Sequence, residues 1–192
     1  MQTFSAVYDS YSQAERAVND LEAAGVPSGD ISLIANKYVS ENYERVDEVS
    51  STATGAGVGA AIGGGAGLLA GLGLLALPGL GPVVAAGWLV ATAVGAIAGT
   101  ATGGLVGALV DSGTPEPVAH VYSEAVRRGG TLVTVRTSSA TDQIQSILDR
   151  HQPINHSVRR GEYESTGWTG FDPAAPPYRP SETEIERMRR RT

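Results

Sequence analysis

The sequence predicts an α+β domain that is split in two by a glycine-rich helical hairpin and followed by a disordered tail. Three observations carry this. Both ends of the chain pair short alternating apolar runs with apolar stripes of helical period. The middle, residues 49–110, holds no Asp, Glu, Lys, Arg or His. Of the 25 glycines, 17 fall between residues 55 and 107.

Residues 2–8 alternate, with Phe4, Ala6 and Tyr8 on one side, and read as a strand. In "DSYSQAERAVNDLEAAG", Ser10 and Gln13 stand at capping-box spacing. Ala14, Ala17, Val18 and Leu21 fall on one helical face, and Gly25 with Pro27 ends the helix. "DISLIA" is a second strand, with Ile31, Leu33 and Ala35 on one face. After the glycine-rich block, Thr114 is placed to cap a helix with Pro115 in its first turn. Its stripe is Val118, Val121, Tyr122, Ala125 and Val126, closed by Arg127, Arg128 and Gly129. "TLVTVRT" is a strand, "SSATDQIQSILDRH" a helix on Ile144, Ile147 and Leu148, and "INHSVR" a last short strand carrying Ile154, His156 and Val158.

Without its middle the chain runs strand, helix, strand, extra helix, strand, helix, strand, which is the ferredoxin-like split β-α-β order. Two strands alone are marginal in water, so the two halves are expected to share one sheet. The expected organisation has 1–36 and 111–159 as the two halves, 37–53 as an acidic linker and 54–110 as the hairpin. Residues 160–192 form the tail, with a short helix over 181–191.

"LPGLGP", residues 77–82, divides the block into expected helices of 54–77 and 83–110. At about 1.5 Å per residue each is long enough for a hydrocarbon layer of about 30 Å. Gly55, Gly59, Gly63, Gly67 and Gly71 recur every fourth residue, as do Gly87, Ala91, Gly95, Gly99, Gly103 and Gly107. A phosphate-binding fingerprint is excluded, because no strand precedes it, position 62 is Ile and the next acidic residue is Asp111. A flexible linker is excluded because these glycines alternate with Ala, Leu, Val and Ile. The remaining reading is a glycine zipper, in which small residues let helix backbones approach closely. The nine glycines of 54–77 would cost roughly 7–9 kcal/mol relative to alanine in a solvated helix, so lipid or close protein contact is required. Two environments stay open, a membrane hairpin and the buried core of a soluble oligomer.

Charge and composition narrow the partners. A net charge of −6 and a pI near 5.0 argue against nucleic acid, which needs clustered Lys and Arg. Cysteine is absent, which removes disulfides and thiolate metal sites. His120, His151 and His156 have no second ligand at motif spacing and read as structural, so no catalytic residue, metal or cofactor is expected. In the tail, Trp168, Phe171 and Tyr178 stand among Gly and Pro and are expected to dock, either back on this domain or on a partner protein.

"FSAVYDSYSQAERAVNDLEAAGVPSGDISLIA", the hairpin with "LALPGLGPVVAAG", and "GALVDSGTPEPVAHVYSEAVRRGGTLVTVRT" together resemble the bacterial heat-induced stress protein YflT family, also called general stress proteins, in its glycine-zipper form. The match runs over residues 1–158. The resemblance implies a bacterial, stress-associated protein with no assigned chemistry. The expectation is a non-enzymatic homo-oligomer in the cytoplasm, associated with the inner membrane and with both termini cytosolic. The alternative is a soluble regulatory module that binds a ligand or partner and whose hairpin forms an oligomer core.

Overall fold

The computed structural model describes residues 2–36, 73–77, 80–95, 104–139 and 141–175. Within them the α+β expectation holds. β1 (Gln2–Tyr8) leads to α1 (Tyr11–Ala23), and a 3-10 turn at Ser28–Asp30 leads to β2 (Ile31–Asn36). β3 (Gly73–Leu77) and β4 (Gly81–Gly87) come next, then α2 (Trp88–Gly95), α3 (Leu105–Asp111) and α4 (Glu116–Arg127). β5 (Thr131–Thr137), α5 (Thr141–Arg150) and α6 (His156–Glu164) complete the described elements.

The five strands form one sheet in the order β1-β5-β2-β4-β3, with every neighbouring pair antiparallel. β1 and β2 are therefore parallel, joined over one face by α1, with β5 inserted between them in a split β-α-β unit. Alternation along the strands loads both faces. Ala6, Tyr8, Ile31, Leu33, Ala35, Val133 and Val135 pack under α1 and α5. Val7, Ile34, Val83, Ala85 and Leu132 pack under α2, α3 and α4. Helices cover both sides of the sheet.

Helix α1 starts where its capping box predicts: the Ser10 side chain accepts from the Gln13 N–H, and Gln13 Oε1 accepts from the Ser10 N–H. Its whole expected stripe is buried. Helix α4 starts differently from the expectation. Pro115 is its N-cap and Pro117 lies in the first turn, while the Thr114 hydroxyl stands 3.4 Å from the Ser5 hydroxyl instead of capping. Its end is a Schellman turn, with the Gly129 N–H on the Val126 carbonyl, the Gly130 N–H on the Ala125 carbonyl and φ of 108° at Gly129.

The helical hairpin expected over 54–77 and 83–110 is corrected at Gly73–Leu77 and Gly81–Gly87, which are strands, while 54–72 and 96–103 lie outside the described residues. Leu77 pairs with Gly81, so "LPGLGP" lies between two strands of the domain's own sheet, and among the described residues beyond them α2 covers Trp88–Gly95 and α3 covers Leu105–Asp111. No helix of the described residues is long and apolar enough to cross a membrane. The physical reason lies in the period. Four is a multiple of two, so a small residue every fourth place marks one face of a strand as well as one side of a helix. β2 also needs a second antiparallel partner, and Val83–Gly87 supplies it along Ser32–Asn36. Gly55, Gly59, Gly63, Gly67, Gly71, Gly99 and Gly103, and the whole linker 37–53, lie outside the described residues.

The strand expected over 154–158 is also corrected. Asn155 accepts from the N–H groups of Ser157 and Val158 and so caps α6. The ion pairs Arg160–Glu164 at 2.7 Å and Arg159–Glu162 at 3.1 Å then support the helix. One backbone bond, from the Ile154 N–H to the Val7 carbonyl at 2.7 Å, touches the outer edge of β1.

Candidate functional site

The site is built on α4, α6 and the strap of residues 165–175. Helix α4 lies on the sheet through Ala119, Tyr122, Ala125 and Val126. Tyr163 of α6 is buried, with the Arg128 guanidinium 4.4 Å from the centre of its ring. The tail expected to be disordered from residue 160 instead continues α6 to Glu164 and turns back at Gly167, whose φ is 86°. Trp168 meets Tyr163 edge-on at 5.6 Å. Phe171 enters the core of α3 and α4, 6% exposed, and its N–H donates to His120 Nδ1 at 3.1 Å.

These elements enclose a cleft of about 230 Å³ lined by Glu116, Pro117, His120, Arg160, Trp168, Thr169 and Gly170. Because Nδ1 accepts the Phe171 N–H, the ring's own proton sits on Nε2, which lies 3.9 Å from Glu116 Oε1. The opposite wall carries Arg160, whose Nε donates to Glu164 Oε1 at 2.7 Å. The cleft therefore offers an imidazole N–H, a guanidinium and one carboxylate beside an indole. That suits hydrogen bonding to a small polar group. No hydroxyl or thiol stands there with a base hydrogen-bonded to it, and no cluster of three or more His, Asp or Glu among the described residues is arranged to hold a metal.

Two further polar clusters serve packing. The Glu124 carboxylate is 1% exposed and accepts two bonds from Arg127, at 2.7 and 2.9 Å, and one from Arg128 Nε at 2.6 Å. The Arg127 carbonyl accepts from Asn36 Nδ2, which ties α4 to the end of β2. On the other face of the sheet, His151 Nε2 lies 2.9 Å from Asp20 Oδ2. That hydrogen bond is the first cause holding the Asp20 carboxyl below the usual range; desolvation, next in size, opposes it, and the charges of His151 and Arg150 add to the lowering.

Of the expected packing residues, Gly87, Ala91, Gly95 and Gly107 lie among the described ones. Gly87 ends β4 with a φ of 98°, and a Cβ there would stand 2.3 Å from the Ile31 carbonyl oxygen. It is a close-approach position between strands, which corrects its place in a helix stripe. Ala91 and Gly95 lie in α2, and Gly107 is buried in α3. Trp168 and Phe171 dock on this domain, and Tyr178 lies outside the described residues. Sequence reasoning passed over the cleft itself. The available signal was Glu116 four residues before His120 on one helix face. Compared with protein-family models, curated proteins and solved structures, the chain matches none.

Proposed function

We propose that this chain is a non-catalytic, self-associating protein of the general-stress type, in which a ferredoxin-like domain carries a glycine-rich assembly segment. One observation carries the reading. The 62 residues of 49–110 lack any ionisable side chain, yet the described ones, from Gly73 onward, belong to the folded domain and form β3, β4, α2 and α3. A segment this apolar and glycine-rich needs a close packing surface along it, and further copies of the same segment supply one. The split β1-α1-β2 unit with β5 between its strands supports the ferredoxin-like part, as does the 151–155 segment reaching the β1 edge where a fourth strand would add.

The test is fractionation of the untagged full-length protein from bacteria, with carbonate washing of membranes and sizing of the supernatant, beside a Gly63→Leu/Gly67→Leu variant. A large particle that the double substitution reduces to monomer supports assembly. Retention in washed membranes assigns the segment to the bilayer and the inner membrane. A wild-type monomer in the supernatant overturns the proposal. The cleft supports a second reading, a module that binds a small polar ligand, and this predicts that the double variant keeps such binding.

A further inference from the structure

The geometry points to His120 as a proton-operated latch that holds the 165–175 strap on α4. Phe171 seats its ring in the apolar core, and its N–H is the backbone group that ties the end of the strap to the helix. An N–H at 3.1 Å needs a lone pair on Nδ1. The docked strap therefore admits only the imidazole that carries its single proton on Nε2. A second proton, on Nδ1, sets donor against donor and removes the bond.

The surrounding charges shape the response to that proton. Glu116, on the same helix, stands 3.9 Å from Nε2 and gives an imidazolium a counter-charge in place of the lost acceptor role. Arg160 of α6 lines the same cleft and opposes that charge, but it is itself paired with Glu164. In the strap, Asp172 accepts the Ala174 N–H through Oδ1. The sign is fixed by the bond: docking excludes a proton from Nδ1, so acidification opposes docking and a rise in pH favours it. Release uncovers the Phe171 seat on α3 and α4 and removes the Trp168, Thr169 and Gly170 wall of the cleft. Acidification thus exposes an apolar patch and opens the cleft together.

The experiment uses the full chain with Trp88→Phe, so that Trp168 alone reports of the two tryptophans. Its emission, the exchange protection of the Phe171 amide and the His120 ring nitrogens by NMR are followed from pH 8 to 5. The expected result is a red shift and a loss of protection on the order of tenfold, in step with protonation of Nδ1. His120→Asn, whose Oδ1 stands where Nδ1 does and accepts the same N–H at any pH, keeps the docked emission and abolishes the transition. Glu116→Gln moves the transition to lower pH, and Phe171→Ala shows the released emission throughout. Titration of the ring while the Phe171 amide stays protected overturns the latch. So does a transition that survives in His120→Asn, which would assign it to His151 or His156.

Discussion

At Gly87 the backbone of β4 lies so near β2 that an added Cβ would fall 2.3 Å from one carbonyl oxygen and 2.6 Å from the Ser32 Cα, at a φ of 98°. Both the contact and the dihedral penalise any L side chain. Gly87→Ala is expected to cost about 2–4 kcal/mol in urea unfolding, with the loss concentrated in the β2–β4 pairing. Spacing alone assigned this glycine to a helix stripe, because nothing in the local sequence says that a neighbouring strand passes there. Glu124 is a second residue whose role is tertiary. With its carboxylate replaced by an amide, both arginines lose a charged acceptor, and Glu124→Gln is expected to cost about 1–3 kcal/mol. Sequence reasoning did not single out Glu124, because it lies off the apolar stripe of α4 and pairs with arginines three and four residues further on. Trp168 and Phe171, in contrast, were legible as docking groups, because large aromatics in a Gly- and Pro-rich tail have few other uses.

Among elements, those with a long and unambiguous period were readable. The stripes of α1, α4 and α5 and the runs of β1, β2 and β5 each extend over several turns or residue pairs; the stripes of α1 and α5 are buried throughout, that of α4 except at Val118, and β2 is buried on both faces. Two kinds of segment misled. Ile154, His156 and Val158 alternate over only three positions, too few to outweigh the Asn155 cap and the ion pairs of α6. The period-four glycines fit a strand and a helix equally, and the need of β2 for a second partner is a property of the sheet rather than of residues 81–87. The cap is the testable part. Asn155→Ala is expected to lower stability by about 1 kcal/mol, with the first-turn amides Ser157 and Val158 losing exchange protection.

For the whole molecule, the two-sided core places phenols in both layers. Burial raises Tyr8, Tyr122 and Tyr163 above the ordinary tyrosine range, with Asp149 adding to the shift at Tyr8 and Tyr122 and Arg159 opposing it at Tyr163. Their neutral forms are favoured in the folded state. The resulting stability is complete below the unfolded tyrosine value of about 10 and is lost as pH rises beyond it. Denaturation midpoints are therefore expected to fall above about pH 10. Tyrosinate absorbance of the native protein should account for no more than four of the seven tyrosines until it unfolds. The split order of the sheet was legible from the succession of elements, whereas the extension beyond β2 was not, because it depended on which state the glycine-rich residues adopt.

The insertion of β5 between β1 and β2 has a consequence for the timing of synthesis. The first two strands leave the ribosome more than 90 residues ahead of the strand that joins them. Until then they flank a gap one strand wide, with β1 and β2 about 9–10 Å apart in the finished sheet and unable to bond each other across it. A chain halted before Thr131 therefore has no means of joining β1 to the rest, and its apolar strands stay available to strangers. Closure comes late and all at once, when Thr131–Thr137 arrives and pairs on both edges. Such long-range pairing slows the folding of this domain relative to a helical bundle of similar size, because loop closure precedes the reward of the contacts.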